Sequence, residues 1–476
     1  MATAIPERLR PLVEETAELA RRFEAGGRRL YLVGGVVRDA IVAPSHPEEG
    51  HGGERFDFDY TTDARPDETE AIVTDWADAV WTQGKRFGTI GAVRDGRRHE
   101  ITTHRAEAYE PASRKPEVAY ADAVEADLAR RDFTINALAL RLPDLVLIDP
   151  FDGLADLAAG RLRTPLAPEV SFADDPLRML RAARFVARFD LTPDPALVGA
   201  IGRLGERLAI VSAERVRDEL DKLVTVPRPS GGLALVVDTG LAEQFLPELP
   251  ALALAQDPVQ RHKDVLAHTL AVVDKTSQDR VLRLAALLHD VGKPRTRSYG
   301  PGGVSFHHHE VVGARMTRER MRALRYATQD IEDVSRLVEL HLRFHTYRMG
   351  WTDSAVRRYV RDAGPLLSRL NELTRCDCTT RNAAKARALA RRMDELERRI
   401  EKLGAEEELA AIRPDLDGNA IMAILGVRPG PVVGRALAHL LELRLEEGPL
   451  GEEAARARLL EWWADQPEAR QDGAPS

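Results

Sequence analysis

Two aspartates, Asp57 and Asp59, stand at alternate positions of the aromatic stretch ERFDFDYTT at residues 54–62. Alternate residues of a β-strand point to the same face, with Cα atoms about 6–7 Å apart. Two carboxylates at that distance repel each other unless water screens them or a cation lies between them. The spacing therefore indicates either a strand face open to solvent or a cation site.

A glycine pair precedes these aspartates in the stretch RRLYLVGGVVRDAI. Gly34 and Gly35 follow a short apolar strand and open a helix in which Arg38 lies one turn further on. Glycines allow a phosphate to approach the backbone, and a helix N-terminus presents free N–H groups to it. Alone, the pair is a weak signal, and a plain strand–helix turn is the favoured interpretation. Beside two carboxylates it indicates a Mg²⁺–triphosphate site, since Mg²⁺ prefers one or two carboxylates plus phosphate oxygens.

Glu100, in the alternating stretch RRHEITT, is a candidate third carboxylate near the attacking oxygen. A charged residue on an exposed strand face is an equally weighted interpretation. Asp57 and Asp59 would hold two metal ions that activate a hydroxyl and stabilise a departing pyrophosphate.

A second group of chemically active residues is a histidine cluster between residues 262 and 345. Its members are His262, His268, His289, His307, His308, His309, His341 and His345. In LAALLHDVGKP an apolar helix runs into His289 and Asp290, and such a buried pair is costly unless it hydrogen-bonds or coordinates something. Imidazoles combined with carboxylates suit transition metals such as Mn²⁺, Ni²⁺ or Co²⁺.

Composition bounds the class of protein. A chain of 476 residues is too long for one core, so two to four domains are expected. The net charge of −8 argues against a generally basic nucleic-acid binder but allows a local basic stripe. No apolar run predicts a membrane span or a signal peptide, and the two cysteines of CDC (376–378) favour a reducing, cytoplasmic location.

The pattern along the chain changes from strand-rich to helical. A helix is predicted over 10–26, and FDFDYTT, RFGTIGAVR and RRHEITTHR alternate like strands of one sheet. Residues 107–122, with two prolines and mixed charge, predict a mobile loop. Helical periodicity dominates from about residue 126, with the change of domain near 141–155 and a highly charged helix over 383–408.

Seven motifs then follow in order: LVGGVVRD, FDFDYTTDARP, GKRFGTIGAV, DLARRDFTINALAL, DPFDGLADL, DDPLRMLRAARF and SAERVRDEL. Together they resemble the class II tRNA nucleotidyltransferase/poly(A) polymerase family of the polymerase-β superfamily, over roughly residues 28–250. The resemblance implies an α+β fold: a polymerase-β-like nucleotidyltransferase head, a mostly helical neck and body, a helical HD domain and a helical tail. The corresponding boundaries are 1–150, 151–255, 256–400 and 401–476.

The resemblance also implies roles for individual residues. Asp57 and Asp59 match the family's Mg²⁺ ligands, and Gly34, Gly35 and Arg38 match its triphosphate grip. The residues that match the motif for the nucleotide sugar are Arg131, Asp132 and Asn136.

Asp175 and Arg178, in DDPLRMLRAARF, match the pair that the family uses as an amino-acid template for the incoming base. A carboxylate accepts from the exocyclic amine of cytosine or adenine, while a guanidinium donates to the ring acceptor beside it. This chain has Asp174 where the family commonly has Glu, which keeps the charge but shortens the reach. Arginines recur at helical spacing at positions 178, 181, 184 and 188. Arg181 and Arg184 are further candidate nucleotide-binding residues, with a solvated basic stripe as the alternative.

The histidine cluster resembles an HD-superfamily metal phosphohydrolase domain. His268, His289, Asp290 and Asp377 match its core metal ligands, while His309 and His341 match the positions used when two metals bind. His307 and His308 match no ligand position. Metal binding is expected here and, as a second activity, phosphohydrolysis.

The predicted function is template-independent, Mg²⁺-dependent addition of C, C and A to the 3′ end of tRNA from CTP and ATP. Alternatives of the same class are a poly(A) polymerase or an enzyme that adds only CC or only A. Residues 105–120, associated in the family with the switch from CTP to ATP, show no obvious deletion, which favours full addition. An alternative of another class is an HD phosphohydrolase whose head serves as an RNA-binding module. The sequence does not indicate an oligomeric state.

Overall fold

The structure, a computed structural model, describes residues 10–42, 58–108, 117–254, 264–300, 303–346, 351–378, 383–407 and 412–470. The chain divides into two compact units, Met1–Pro247 and Glu248–Ser476. Asp57 and His262, both named above, lie outside the described residues.

The first unit begins with a seven-stranded sheet in the order β3-β4-β5-β2-β1-β8-β9. Its strands and those of a separate hairpin, β6–β7, are β1 (Leu30–Val33), β2 (Phe58–Thr62), β3 (Ala79–Trp81), β4 (Thr89–Arg94), β5 (Arg97–Thr103), β6 (Arg105–Ala108), β7 (Glu117–Tyr120), β8 (Ala139–Leu142) and β9 (Val146–Ile148). The three stretches predicted as strands of one sheet provide β2, β4 and β5, so that prediction is confirmed.

Strand alternation separates the two faces of this sheet. Phe58, Tyr60 and Ile101 are buried in the main core, while Asp59 between the two aromatic residues is exposed. The helices of the head are α1 (Arg10–Ala25), α2 (Gly35–Val42), α3 (Pro66–Thr74), α4 (Val124–Ala129) and α5 (Gly153–Ala158). Apolar residues of α1, α2 and α3 join the main core, whereas α4 packs against β1 and β8 on the opposite face.

Two parts of the head differ from the sequence prediction. Strands β8 and β9 lie in a segment predicted to be mainly helical, because β8 pairs along its whole length with β1. Strands β6 and β7 pair over four residues each at the two ends of the predicted loop 107–122. Non-local pairing overrides local propensity in both cases.

The rest of the first unit is helical apart from one pair of two-residue strands. Its elements are β10 (Arg161–Leu162), α6 (Pro168–Asp174), α7 (Leu177–Phe189), β11 (Thr192–Pro193), α8 (Pro195–Leu204), α9 (Ala213–Val224) and α10 (Ser230–Asp238). Helix α7 packs against α9 and α10 and buries Met179, Leu180 and Ala183.

In the part of the second unit that the structure describes, the chain is helical except for one hairpin, β12 (Arg297–Gly300) and β13 (Gly303–Phe306), which the sequence analysis missed. Its helices are α11 (Val265–Lys275), α12 (Arg280–Leu288), α13 (Lys293–Thr296), α14 (His309–Ala323), α15 (Thr328–Leu340), α16 (Arg343–Thr346), α17 (Asp353–Ala363), α18 (Leu367–Asp377), α19 (Ala383–Glu407), α20 (Gly418–Leu425), α21 (Pro431–Glu447) and α22 (Glu452–Ala464). The predicted charged helix is α19. Within the described ranges, no helix combines the length and the apolar character that a membrane span requires.

Side-chain caps fix the starts of the helices that carry the histidine cluster. The Asp264 carboxylate accepts from the Ala267 N–H at 3.0 Å, and the Asp279 carboxylate accepts from the Leu282 N–H at 2.9 Å. Such caps satisfy N–H groups that a helix start leaves unpaired. They set where α11 and α12 begin, and so which of their residues face the centre of the unit.

Candidate functional sites

Two carboxylates meet on the open face of the head sheet. Asp59 on β2 and Glu100 on β5 are register partners in a parallel pair, and both side chains are exposed. Neighbouring strands lie about 4.8 Å apart, and paired residues share a face. The structure therefore brings the predicted Mg²⁺ ligand and the predicted third carboxylate together.

The glycine turn lies directly beside this pair. Gly34 has φ +75°, and a Cβ added there would lie 2.9 Å from Nη1 of Arg131 and 4.0 Å from Oδ2 of Asp59. A positive φ and a missing side chain are both properties that glycine supplies at low cost. The turn, the Arg131 guanidinium and the Asp59 carboxylate thus converge on one small volume, which fits an anion held next to a metal ion.

One N–H group of Arg131 has no hydrogen-bond partner among the described residues. Its Nη2 donates to the buried Asp127 at 3.4 Å, whereas its Nε is buried and has no hydrogen-bond partner among the described residues. A buried donor left unpaired is rare in folded proteins. A phosphate or sugar oxygen at the glycine turn would provide an acceptor close to this group.

Arg38 is not an exposed side chain available to bind a triphosphate, because it is buried and hydrogen-bonded to other residues. It is 3% exposed, donates to Asn136 Oδ1, donates to Asp39 at 2.8 Å and lies 4.5 Å from the ring centroid of Phe189. Burial lowers its pKa. Arg38 therefore connects the start of α2 to the residues predicted to handle the sugar, and its predicted role in phosphate binding stays a prediction.

Asp132 connects these residues to α7. Its Oδ1 accepts from Asn136 Nδ2 at 2.9 Å, and its Oδ2 accepts from Arg181 Nε at 3.0 Å. Burial is the largest single influence and would raise the pKa of this carboxyl, but the positive charge of Arg181 and the hydrogen bonds from Asn136 and Arg181 together outweigh it, and the pKa is lowered. Arg131, Asp132 and Asn136 are thus close together, as their shared motif predicts.

The proposed base-template residues lie around the start of α7. Arg178 donates to Ser171 Oγ at 3.0 Å and to the carbonyl of Arg130 at 2.6 Å. The Asp175 carboxylate accepts from Arg215 of α9 at 3.1 Å. Sequence reasoning missed Arg215, although it belongs to SAERVRDEL, one of the seven motifs.

The arginines at helical spacing along α7 do not form a solvated basic stripe, because three of them pair with carboxylates. Arg181 pairs with Asp132, Arg188 pairs with Asp39 at 3.4 Å, and Arg184 forms a buried pair with Glu219. Asp39 and Glu219 were not singled out from the sequence. These pairs give the arginines a structural function, and nucleotide binding by Arg181 and Arg184 stays a prediction.

The six predicted HD ligands converge in the second unit. They lie on α11 (His268), at the end of α12 (His289, Asp290), at the start of α14 (His309), at the end of α15 (His341) and at the end of α18 (Asp377). They form two potential metal-binding triads, with candidate ligand atoms within 4.8 Å of one another in each: His268, His289 and Asp377, and Asp290, His309 and His341.

Asp290, a member of the second triad, also contacts the first. Its Oδ2 is 3.2 Å from His289 Nε2, and its Oδ1 is 3.4 Å from His309 Nε2. A carboxylate with one oxygen directed at each group has the geometry of a bridging ligand. On the other side, Asp377 Oδ1 lies 2.9 Å from His268 Nε2.

The imidazoles are oriented by carbonyl groups. His289, His309 and His341 each direct Nδ1 to a backbone carbonyl three residues earlier, at 2.8, 2.7 and 2.6 Å. This leaves Nε2 directed at the centre, which is the usual support for a metal-ligating histidine. Burial lowers the pKa of His341 to about 3, so its ring is neutral and able to coordinate.

His307, His308 and the cysteine thiols do not belong to the six predicted metal ligands. His307 and His308 are exposed, as expected of residues that match no ligand position. Cys376 donates to the carbonyl of Lys275 at 3.4 Å, and burial raises the pKa of its thiol to about 11. Cys376 is half-buried, and its hydrogen bond to a carbonyl and its raised pKa disfavour a role as a sulfur ligand.

Three family models match successive parts of the chain. "Poly A polymerase head domain" matches residues 30–163, "Probable RNA and SrmB- binding site of polymerase A" matches 190–252, and "HD domain" matches 264–403. The chain is 36% identical over 358 residues to the A-adding tRNA nucleotidyltransferase of Deinococcus radiodurans, covering 72% of this chain and 80% of the relative. It is 34% identical over 368 residues to the CC-adding tRNA nucleotidyltransferase of Thermus thermophilus, covering 74% and 80%.

The fold is also that of a solved structure. A crystal structure of the Bacillus stearothermophilus CCA-adding enzyme in complex with CTP superposes with a TM-score of 0.69, 21% identity, and coverage of 99% of this chain and all of that one. The predicted fold class is confirmed: a mixed α/β head is followed by a mostly helical remainder with an HD domain.

Proposed function

This chain belongs to the tRNA nucleotidyltransferase/poly(A) polymerase family, and from that premise we propose that it adds C, C and A to the 3′ end of tRNA from CTP and ATP. The observation that carries the proposal is the convergence of Asp59, Glu100, Gly34 and Arg131 on the open face of the head sheet. Nucleotidyl transfer needs carboxylates for metal ions and a cradle for the triphosphate at one place.

Different residues of the chain would have different roles in such a transfer. The open Gly34 turn would admit the triphosphate, and Nη1 of Arg131 would provide a donor beside it. Asp59 would hold Mg²⁺, with Asp57 as its predicted partner, and Glu100 would orient the attacking hydroxyl. Bound Mg²⁺ supplies electrostatic stabilisation of the charge that develops on the phosphates.

Base selection is assigned to Asp175 and Arg178. Both now bond to protein groups that a base could replace: Asp175 bonds to the half-exposed Arg215, and Arg178 bonds to Ser171 and a carbonyl. Because one such pair accepts both cytosine and adenine, it is compatible with full CCA addition. The two single-step relatives share nearly the same identity with this chain, 36% and 34%, which favours neither partial reaction.

The test is product length on tRNA that lacks its terminal CCA. Purified protein is incubated with CTP alone, ATP alone and both, and labelled products are resolved at single-nucleotide resolution. We expect two nucleotides to be added with CTP alone, and one further nucleotide when CTP and ATP are both present. Arrest after CC in the presence of both nucleotides, or long A-tails on any RNA, would contradict full CCA addition. The expected location, where such a tRNA is available, is the cytoplasm.

The six-ligand cluster supports a second activity. We propose that the HD domain binds two divalent transition-metal ions, of the Mn²⁺, Ni²⁺ or Co²⁺ class, and hydrolyses phosphate esters. The support is the donor set: imidazoles oriented by carbonyls, with Asp290 of one triad also in contact with the other. Such ligands suit those metals. A bound metal would supply an activated water, while Lys293, 2.6 Å from Asp290, provides a cation for a phosphate.

Metal content distinguishes this proposal from a structural cluster. Elemental analysis of the full chain after equilibration with Mn²⁺ and gel filtration should give two ions per chain, and His289→Ala should lose at least one. The control is His308→Ala, because His308 is exposed and lies outside both triads. Equal metal content in all three proteins would contradict the proposal, and hydrolysis of a chromogenic phosphodiester should follow the metal content.

A further inference from the structure

An indole lies in the same cross-strand row as the two carboxylates of the head. Trp81 on β3 pairs with Gly91 on β4, Gly91 pairs with Glu100 on β5, and Glu100 pairs with Asp59 on β2. Its neighbour Val80 packs against the main core, so alternation directs Trp81 to the opposite face. The row therefore runs from an aromatic ring to the metal-ligand candidate across the open face.

Gly91 is what allows the indole to approach the carboxylates. A Cβ added to Gly91 would lie 1.9–2.2 Å from Cε2, Cζ2 and Nε1 of Trp81, so the indole occupies the space of the missing side chain. The ring is thereby one strand from Glu100 and two strands, about 10 Å, from Asp59. Trp81 is half-buried, so part of it remains accessible on this face.

The surroundings of this indole have the character of a single-stranded RNA platform. Arg98 lies 5.5 Å from the Trp81 ring centroid, and Arg86 and Phe87 follow on the connection to β4, with Phe87 42% exposed. Arg105 reaches the same face and donates to Thr89 at 3.0 Å. Aromatic rings interleaved with arginines bind single strands by stacking and by charge.

The strand order shows on which side of the two carboxylates Trp81 and the Gly34 turn lie. The sheet runs β3-β4-β5-β2-β1, so the two carboxylates lie between Trp81 at one edge and the Gly34 turn, which follows β1, on the other side. In phosphoryl transfer the attacking and leaving oxygens lie roughly in line, on opposite sides of the phosphorus. If the departing phosphates lie at Gly34, the attacking strand approaches from the side of Trp81.

We propose that Trp81 is a positioning residue that stacks on the base of the terminal nucleotide of the RNA acceptor. The ribose of that nucleotide would lie above Glu100, with its hydroxyl directed towards Asp59. Stacking tolerates every base, which suits an acceptor whose terminal base changes after each addition. The inference rests on the proposed nucleotidyl transfer and adds to it the acceptor subsite.

The test separates acceptor binding from nucleotide binding. Trp81→Ala should raise KM for tRNA lacking CCA about 5- to 150-fold, the equivalent of 1–3 kcal/mol per stacked base, with KM for CTP changed less than about twofold. Trp81→Phe should recover most of the loss, because a phenyl ring still stacks. Val146→Ala is the matched control, since Val146 is an exposed apolar residue on β9, at the opposite edge of the same sheet.

A second variant guards against a folding defect. Gly91→Ala retains the indole but displaces it from the row, and it should raise KM for tRNA in the same direction, with an unchanged circular dichroism spectrum. An unchanged KM for tRNA in folded, active Trp81→Ala, or a rise in KM for CTP instead, would overturn the proposal. If the wild type adds no nucleotide, the proposed function fails, and binding of a labelled single-stranded RNA ending in CC to the same variants still decides the role of Trp81.

Discussion

The Arg131 guanidinium lies 2.9 Å from where a Cβ of Gly34 would be, so an arginine of one motif and the glycine turn of another share one volume. Gly34→Ala should therefore combine two costs. An L-residue at φ +75° costs about 1–2 kcal/mol, and the new methyl group pushes Arg131 away. We expect a fall of about tenfold or more in kcat/KM for CTP, equivalent to at least about 1.4 kcal/mol.

Gly27→Ala is the matched control for this change. Gly27 has φ +69°, and nothing lies within 4 Å of a Cβ added there. The variant therefore has a similar backbone strain, but its new methyl group does not contact Arg131. The two variants should lose similar free energy of unfolding in urea, and Gly34→Ala alone should lose activity. Equal kcat/KM in both would show that the contact with Arg131 has no role in nucleotide binding.

Asp59 and Glu100 should differ in how much activity each supports. Asp59→Asn removes a metal ligand and should lower kcat by about 10³-fold or more, because metal stabilisation of the transferring phosphate supplies several kcal/mol. Glu100→Gln should lower it by about 10²-fold, the lower range for a group that handles a proton. Single-turnover incorporation of CMP measures both. Asp95→Asn, an exposed carboxylate at the β4–β5 turn, should leave the rate unchanged, and an active Asp59→Asn would refute the metal assignment.

The buried pair Arg184–Glu219 should matter for stability rather than for chemistry. Glu219→Gln leaves the Arg184 cation buried beside an uncharged partner, and breaking such pairs costs about 3–5 kcal/mol. Urea unfolding followed by circular dichroism measures the loss. Glu169→Gln, which breaks the exposed Arg203–Glu169 pair on neighbouring helices, should leave the midpoint unchanged. A large drop in CTP affinity with unchanged stability in Glu219→Gln would instead favour a nucleotide-binding role for Arg184.

His99 should make the stability of the head sensitive to mild acid. Burial lowers its pKa from 6.5 to about 4, so the folded head binds this proton less readily than the unfolded chain does. Its contribution is complete above pH 6.5 and is lost as the pH falls towards 4, by about 3 kcal/mol at most. Hydrogen exchange of peptides covering residues 97–103, followed by mass spectrometry between pH 7 and pH 4.5 with correction for intrinsic rates, should show this loss.

The matched variant for that experiment is His99→Phe with Tyr60→Phe. His99 stacks on Phe58 at 5.1 Å, and its Nδ1 lies 3.1 Å from the Tyr60 hydroxyl, so the double change keeps the apolar contacts and leaves no unpaired hydroxyl. The double variant should lose less protection than the wild type over the same pH range. The same pH dependence in both proteins would assign the acid sensitivity to other groups.

Much of the site was readable from local pattern. The alternation in FDFDYTT placed Asp59 opposite the buried Phe58 and Tyr60, because side chains of a strand alternate whatever the rest of the chain does. The same holds for the glycine turn before α2 and for the end of an apolar helix at His289. Motif order also gave the family, and through it the residues of both centres. Asp57 remains a prediction because it lies outside the described residues.

Other features depend on contacts between distant parts of the chain. Strand β8 forms because β1 offers it a partner, and Arg184 is buried because Glu219 on another helix balances its charge. The amino-acid sequence by itself thus predicted which residues carry the chemistry and determined which face each one takes within its own element. Only the tertiary structure decided that Trp81, Glu100 and Asp59 share one row, since strand order and register arise from pairings that no local pattern encodes.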